Sequence, residues 1–442
     1  MSTRTNTFPP GIPYIIGNEA AERFSYYGMK CILVVFMTQY LKNADGALLP
    51  MDEADARGWY HLFSAANYFF PLLGALIADI FWGKYKTILR LSILYCLGHF
   101  VLALFETRTG LAVGLMFIAI GSGGIKPCVS AHVGDQFSNS TQHLVERVFS
   151  YFYFSINLGA FVSTLLTPYL LSRYGPSLAF GVPGLLMLIA TVLFWKGREV
   201  FIAIPPAGIS LYREALSDKA HRRSLRQLLL LYLFISVFWA LFDQTGSSWV
   251  LQAQKMDRTL FFGSITVLPS QIQAANPVLV MILIPLFSFL LYPAIEKRSR
   301  FTPLRKMVVG MMLTALSFVV IGIAEMEIQS GASVSIAWQL VAYTILTAGE
   351  VMVSITALEY SYTQAPLQMK SLVMGLFYLS VTLGNLLAAG VNFLVSAGDE
   401  YWFLQAEFYY LFFALLMFLT GILLSVFGAQ FQETTYLHLK EP

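Results

Sequence analysis

Residues 19–30 read EAAERFSYYGMK and lie within an otherwise apolar stretch that runs from Ile12 to Leu41. On a helical wheel, at about 100° per residue, the six polar side chains of this segment share one arc of about 140°. They are two carboxylates, two cations and two phenols, namely Glu19, Glu22, Arg23, Tyr26, Tyr27 and Lys30. A stretch this long and apolar predicts a membrane span, in which charges must face a partner or a water-filled cavity. We therefore expect this face to point inward, toward something polar that the protein handles.

The composition of the whole chain also indicates a membrane protein. Its 442 residues are 57% hydrophobic and only 12% charged, against about 25% charged in a typical soluble domain. Aromatic residues reach 15%, which suits interfacial belts and an aromatic-lined cavity. The first ten residues lack an apolar core, so we expect no cleavable secretory signal. No basic tract indicates nucleic-acid binding, and the three cysteines have no metal-ligand spacing, so we expect buried thiols and no metal site.

Hydropathy along the chain predicts twelve spans. Their expected limits are 12–41, 57–82, 86–105, 110–130, 147–172, 178–196, 224–249, 275–295, 303–324, 336–362, 369–396 and 404–429. An even number of spans places both termini on one side of the membrane. Roughly two thirds of the lysines and arginines fall on that same side, which the positive-inside rule identifies as the cytoplasm.

The two halves of the chain are joined by residues 197–223, which contain Pro205-Pro206 and then a basic stretch. We expect residues 1–196 and 224–442 to form two six-helix bundles, with a cytoplasmic linker between them in the sequence. This plan resembles the major facilitator superfamily, whose halves each contain inverted three-helix repeats. The expected fold class is thus an all-α membrane protein with the major facilitator superfamily fold.

The segment EAAERFSYYG is similar to the first-helix motif of one branch of that superfamily, the proton-dependent oligopeptide transporter family. Further segments resemble the same family in both halves of the chain. They are Ile120–Pro127, Phe152–Gly159, Phe238–Gln244, Gly349-Glu350 and Glu359–Pro366. One such motif alone would be a weak signal, whereas the set together is specific.

The resemblance implies roles for residues in both halves. For proton coupling it implies Glu19, Glu22, Arg23, Lys126, His61 and Asp243. For substrate binding it implies Arg23, Tyr26, Tyr27, Tyr68, Lys126, Asn157, Trp239, Asn276 and Glu350. In the family, the lysine equivalent to Lys126 pairs with the glutamate at Glu22 and meets a substrate carboxylate. The glutamate equivalent to Glu350 receives the peptide α-ammonium, helped by amides that match Asn157 and Asn276.

His61 opens the second span and has two interpretations. A histidine at a membrane interface is often only a solvated or capping group. Alternatively, an imidazole suits proton handling near neutral pH, as the resemblance to the mammalian peptide transporters implies. Asp243 is then a candidate partner of His61, and we expect Lys30, Asp243 and His61 to form an extracellular gate.

The sequence therefore favours a proton-coupled symporter that carries di- and tripeptides into the cell by alternating access. Protons are the coupling ion, and we expect no cofactor and no obligatory protein partner. The expected location is the inner or plasma membrane, with both termini cytoplasmic. A carrier of nitrate or another small anion remains an alternative, because such carriers keep the first-helix motif. The chain has no Walker A sequence, which disfavours an ATP-driven pump. It has neither zinc-ligand spacing nor a G-x-S-x-G turn, which disfavours an intramembrane peptide hydrolase, so we expect no enzyme.

Overall fold

The computed structural model describes residues 7–138, 140–206, 208–209, 219–260, 263–364, 370–398 and 404–428. Within these residues, the chain forms twelve long helical spans and one small β-hairpin. The spans are α1 Ile12–Gln39, α2 Glu53–Trp82, α3 Lys84–Leu104, α4 Arg108–Asp135, α5 Gln142–Tyr174, α6 Pro176–Glu199, α7 His221–Gln254, α8 Pro269–Glu296, α9 Pro303–Gln329, α10 Ala337–Gln364, α11 Val373–Ala397 and α12 Ala406–Gly428.

Eleven of these described spans are long and apolar enough to cross a membrane on composition alone. Helix α1 has 28 residues but does not meet that criterion, because it carries the four charges of the segment at 19–30. Its length and its buried apolar residues are nevertheless those of a span. The expectation of an all-α membrane protein with twelve spans is confirmed.

Three spans contain a π-helical turn that hydropathy did not predict. These turns are Ala78–Trp82 at the end of α2, Phe287–Leu291 in α8 and Val351–Ile355 in α10. Such turns are rare and often lie at functional sites, because the extra residue reorients the side chains on either side. The third turn begins directly after Glu350, so this carboxylate lies where the helix changes its pitch.

Several helices are longer than predicted. The predicted second span started at residue 57, but α2 begins at Glu53, where the Asp52 carboxylate accepts a hydrogen bond from the Ala54 N–H. The predicted seventh span ended at residue 249, but α7 continues to Gln254 through a 3₁₀ turn. The hairpin follows α7, with β1 (Thr259–Leu260) antiparallel to β2 (Ile265–Thr266).

The chain divides into two compact units. Unit 1 comprises residues 1–51 and 66–211, and unit 2 comprises residues 52–65 and 212–442, as far as these are described. In unit 1, α3 packs on α4, and α1 packs on both α5 and α6. In unit 2, α9 packs on α10 and α12, and α7 packs on α11. Part of the expected linker lies outside the described residues, and the expected domain limits stay a prediction.

Aromatic rings fill the centre of unit 2. The ring of Trp249 lies 5.7 Å from Phe318 and 5.0 Å from Tyr343 between centroids, within the apolar core of this unit. In unit 1, Cys31 and Cys128 are buried as expected, whereas Cys96 is only half-buried. The expectation for Cys96 was wrong, because its side chain lies at the edge of the packed helices, where Sγ is 3.6 Å from the Thr191 hydroxyl and the neighbouring Leu97 is exposed.

Candidate functional site

The charged residues of α1 form one buried cluster. The Arg23 Nε atom lies 2.7 Å from Glu19 Oε1 and 3.2 Å from Glu22 Oε2. The Ser122 hydroxyl of α4 donates a 2.8 Å hydrogen bond to Glu22 Oε1. Both carboxylates are almost completely buried, and the Arg23 side chain is 13% exposed. Two buried carboxylates thus share one guanidinium, an arrangement in which an added proton relieves the repulsion between them.

Glycines bring the helices of unit 1 close enough to build this site. A Cβ atom at Gly159 of α5 would lie 2.7 Å from the Ala20 carbonyl oxygen of α1, one turn from Arg23. A Cβ atom at Gly123 of α4 would lie 2.5 Å from the Asn67 carbonyl oxygen of α2. Only glycine permits such close backbone contact at these positions. The approach of α4 to α2 places residues just beyond Gly123 beside those that follow Asn67.

Lys126 lies where α4 and α2 approach each other. Its Nζ atom is buried and lies 4.1 Å from the ring centroid of Tyr26 and 4.2 Å from that of Tyr68. The Lys30 Nζ atom lies farther from the same two rings, at 5.9 Å and 6.0 Å. The Asn67 amide donates to the Tyr26 hydroxyl at 3.0 Å and fixes that ring. The structure therefore brings together Lys126, Tyr26, Tyr68 and Lys30 in a cation–π cluster.

Two further predicted residues of unit 1 have local contacts. The Tyr27 ring packs edge-on against Tyr26, with 5.4 Å between centroids. The Asn157 amide donates to the Tyr153 carbonyl of its own helix at 2.9 Å, which leaves its carbonyl oxygen as the acceptor.

Unit 2 contains a separate acidic site at Glu350. The Asn276 amide of α8 donates to Glu350 Oε2 at 2.6 Å and contacts the Thr347 hydroxyl at 3.2 Å. Within the described part of the chain, no lysine or arginine lies within ion-pair distance of Glu350. This half-buried carboxylate is thus held by an amide rather than by a cation. The predicted Trp239 lies on α7, where its ring packs edge-on against Phe242 at 5.5 Å.

His61 is completely buried, so the interpretation as a solvated interfacial group is wrong. Its Nδ1 atom lies 2.8 Å from Asn385 Oδ1, and its Nε2 atom lies 2.9 Å from Ser247 Oγ. The Asn385 amide donates to Asp243 Oδ2 at 2.6 Å and to the Val381 carbonyl at 3.0 Å. Asn385 therefore connects His61 to Asp243 within unit 2.

This network determines which nitrogen of His61 carries a hydrogen. Both amide hydrogens of Asn385 are used as donors, so its Oδ1 atom must accept, and the Nδ1 atom of His61 must donate. On the other side, the Ser247 hydroxyl can donate to a neutral ring. When the ring is protonated, the hydroxyl can instead accept from Nε2 and turn its own hydrogen toward the Gln244 carbonyl, 3.5 Å away. The site can thus hold either state of His61 by rotating one hydroxyl.

The beginning of α2 is fixed to the rest of unit 2 by several contacts. Lys255 forms a 3.1 Å ion pair with Glu53. Phe393 packs directly on Gly58, where an added Cβ atom would lie 2.5 Å from the ring. His61 therefore lies in a segment of α2 that packs closely on the rest of unit 2. At position 58 of this segment, the Phe393 ring leaves no space for a residue larger than glycine.

Sequence reasoning missed Asn385 and Ser122. Each is a buried polar residue in an apolar span. That contrast was the only signal for Asn385, whereas Ser122 also lies within the Ile120–Pro127 segment that resembles the family. Among the described residues, no group of three His, Cys, Asp or Glu side chains is arranged to hold a metal ion.

Comparisons with known proteins match this architecture. The sequence profile of the POT family matches residues 85–215 and 209–409. Solute carrier family 15 member 2 of Homo sapiens is 40% identical over 372 residues, which are 73% of this chain and 50% of that protein. Peptide transporter family 1 of Drosophila melanogaster is 38% identical over 371 residues, 74% of this chain and 49% of that protein. The chain spans about half the length of these curated relatives.

Solved structures align over nearly the whole chain. A crystal structure of an auto inhibited POT family peptide transporter has a TM-score of 0.88 and 34% identity, and it covers 98% of this chain and 99% of that chain. A crystal structure of a proton dependent oligopeptide (POT) family transporter has a TM-score of 0.81 and 39% identity, with 93% and 100% covered.

Proposed function

The chain belongs to the POT family and has the major facilitator superfamily fold expected from its sequence, and on that premise we propose that it is a proton-coupled symporter of di- and tripeptides. Transport proceeds by alternating access, and the direction is into the cell. Protons are the coupling ion, and no cofactor or obligatory protein partner is required. The names of the similar proteins, which are peptide transporters, support the substrate class.

The observation that carries this proposal is the state of Glu350. It is a carboxylate within a span, held by the Asn276 amide and without a basic partner among the described residues. Leaving a charge in a span without a counter-ion is costly, so the site favours a ligand that supplies one. The α-ammonium of a peptide has the required charge and three donors for the carboxylate oxygens. We assign recognition of the peptide amino terminus to Glu350 and Asn276.

The opposite end of the peptide requires a cation. Lys126, held over the rings of Tyr26 and Tyr68, offers a positive charge to a carboxylate. Arg23 offers a planar guanidinium suited to bidentate carboxylate binding. Recognition of the two charged termini leaves the peptide side chains to weaker contacts, among which we include Tyr27, Asn157 and Trp239. Broad tolerance of side chains follows from this division.

We assign proton coupling to two places. In unit 1, Glu19 and Glu22 share Arg23, so a proton on Glu22 lowers the negative charge that the cations of this unit must balance. The cations are then more available to a peptide carboxylate. We also propose that Glu22 pairs with Lys126, as the resemblance to the family implies.

The second place is the His61 network of unit 2. Asn385 lies in hydrogen-bond contact with both His61 and Asp243, and Ser247 serves either protonation state of the ring. Proton uptake by His61 therefore changes the charge next to Asp243 without breaking the network. We assign these residues, with Lys30, to the extracellular gate.

The orientation follows from the distribution of basic residues. Lys297, Arg298 and Arg300 lie between α8 and α9, on the same side as the start of α7, which carries Arg222, Arg223 and Arg226. On the positive-inside rule, we assign that side, and both termini, to the cytoplasm. The membrane is the plasma membrane, or the inner membrane of a cell with two.

Uptake into proteoliposomes tests the function. Vesicles that contain the purified protein are given a labelled dipeptide, with and without an imposed pH gradient (acid outside). We expect accumulation of intact dipeptide that requires the gradient and that collapses when a protonophore is added. Accumulation that is unaffected by the protonophore would refute proton coupling. Gradient-driven uptake of nitrate but not of dipeptide would support the anion carrier, and cleaved product would support a hydrolase.

A further inference from the structure

Helix α8 is the span most exposed at its sides. Only 17% of the residues in its apolar stretch are buried, against 39–67% in the other ten described spans that are apolar enough to cross a membrane. Its outer surface includes Phe289, which is 78% exposed, and Leu290, which is 64% exposed. In a membrane, this surface contacts lipid acyl chains along most of its length.

The basic end of α8 lies directly beyond that surface. Residues 296–306 contain five basic residues and one acid. The acid, Glu296, forms a 3.6 Å ion pair with Lys306, which also lies 4.2 Å from the Tyr292 ring centroid. This pairing leaves Lys297, Arg298 and Arg300 as exposed cations around the end of the helix.

The loop that holds these cations has a defined shape. The Arg305 guanidinium donates to the Arg300 carbonyl at 2.8 Å, and the Thr302 hydroxyl accepts from the Arg305 N–H at 3.4 Å, capping α9. A groove of about 560 Å³ lies at this turn. Its lining joins two apolar residues, Ala294 and Ile295, to Lys297, Arg298 and Ser299.

We propose that this groove, which we call the α8 basic groove, binds the headgroup of an anionic phospholipid. The phosphate contacts Lys297, Arg298 and the Ser299 hydroxyl, which together supply the charge and donors that a phosphodiester accepts. The acyl chains lie along the exposed apolar side of α8 at Phe289 and Leu290. Charge complementarity favours this occupant, because a zwitterionic lipid gains less electrostatic binding energy from the three cations. The adjacent apolar surface favours a lipid over a soluble anion.

Lipid binding to the purified protein tests this inference independently of transport. Native mass spectrometry measures the retention of phosphatidylglycerol and phosphatidylcholine, and thermal unfolding measures the stabilisation by each lipid. Inorganic phosphate and glycerophosphoglycerol are added in separate arms as soluble sources of the same anion. We expect phosphatidylglycerol to be retained and to raise the Tm, whereas phosphatidylcholine and the two soluble anions have no such effect.

The test variant is Lys297→Gln/Arg298→Gln/Arg300→Gln. The matched control is Arg222→Gln/Arg223→Gln/Arg226→Gln, which removes three exposed cations at the start of α7. At about tenfold per 1.4 kcal/mol, loss of three surface cations corresponds to roughly 100-fold weaker binding of phosphatidylglycerol by the test variant. We expect the control to bind within about threefold of the wild type.

Three results would overturn the proposal. They are equal binding by the test variant and the wild type, equal losses in the test variant and the control, and stabilisation by inorganic phosphate equal to that by the lipid. If the triple variant does not fold, Arg298→Glu is measured in its place. Unchanged retention of phosphatidylglycerol by that variant would equally refute the α8 basic groove.

Discussion

Glu350→Gln is the sharpest perturbation of the proposed peptide site. The substitution removes a charge but preserves shape, and the new side-chain oxygen can still accept the hydrogen bond that Asn276 donates at 2.6 Å. The glutamine therefore stays in place next to the π-helical turn that follows residue 350. The change affects one quantity, which is the charge that faces a ligand ammonium.

The size of the effect follows from the surroundings of Glu350. Removing one partner from a fully buried ion pair costs about 3–5 kcal/mol. Glu350 is half-buried and its amide partner remains, so we expect about 2–4 kcal/mol, a loss of roughly 30- to 1,000-fold in affinity. An N-acetylated dipeptide has no ammonium, so its affinity should change by less than about threefold. The ratio of the affinity losses for the two peptides isolates the interaction between the Glu350 charge and the peptide ammonium.

Competition against labelled-dipeptide exchange, at equal pH inside and outside, gives both affinities. The control variant is Glu325→Gln, which changes another buried carboxylate of unit 2. Gln252 and Gln329 donate to its two oxygens at 2.8 Å and 2.9 Å, so each oxygen already has a protein donor. In Glu325→Gln, the new NH₂ group faces one of these donors, so one hydrogen bond is lost. The free energy of unfolding should fall by about 1–3 kcal/mol. It should leave the ratio between the two peptides unchanged.

Two outcomes would refute the reasoning on Glu350. Equal losses for the free and the acetylated dipeptide would indicate a structural role for this residue. An unchanged affinity for the free dipeptide would show that the ammonium binds elsewhere.

The remaining predictions concern proton coupling and the start of α2. Glu22→Gln should abolish accumulation driven by a pH gradient but spare exchange between equal peptide pools; concentrative uptake by this variant would contradict the coupling role. His61→Gln should flatten the pH dependence of uptake between about pH 5 and 8 while binding survives, and a wild-type pH profile would remove the histidine from the mechanism. Asn385→Leu should reproduce the flattened profile and also lower stability by roughly 2–4 kcal/mol, measured by thermal unfolding, because it removes the hydrogen bonds that Asn385 makes with the buried side chains of His61 and Asp243. Gly58→Val should lower the Tm by forcing the start of α2 away from Phe393, and an unchanged Tm would show that this contact yields easily.

Much of the fold was accessible from the sequence because hydropathy, charge and length act locally. The number of spans follows from apolar runs of about 20 residues. The ends of the spans were less accurate, since hydropathy does not register caps such as Asp52 or 3₁₀ extensions such as the one after Phe242. The π-helical turns were also missed, because a single inserted residue hardly changes the periodicity.

The candidate site was predictable where one helix carries several of its members. The arc of α1 indicated Glu19, Glu22 and Arg23, and the structure joins these three residues. Asn385 was not predictable in the same way, since it lies 324 residues from His61 and 142 from Asp243. An amide within an apolar span gives no sign of its partner until the helices are packed.

The charged face of α1 also has a consequence for how the protein is made. A charged residue at the centre of a helix costs about 2.5–3.5 kcal/mol on insertion into a bilayer, so α1 is a poor substrate for the insertion machinery by itself. Glu22 gains its hydrogen bond from Ser122 only after a further 100 residues have been synthesised. At typical rates of translation, this delay is roughly 5–20 s. During biogenesis, Glu22 therefore gains its contacts in two stages, because Arg23 lies on the same helix whereas Ser122 arrives only with the fourth helix.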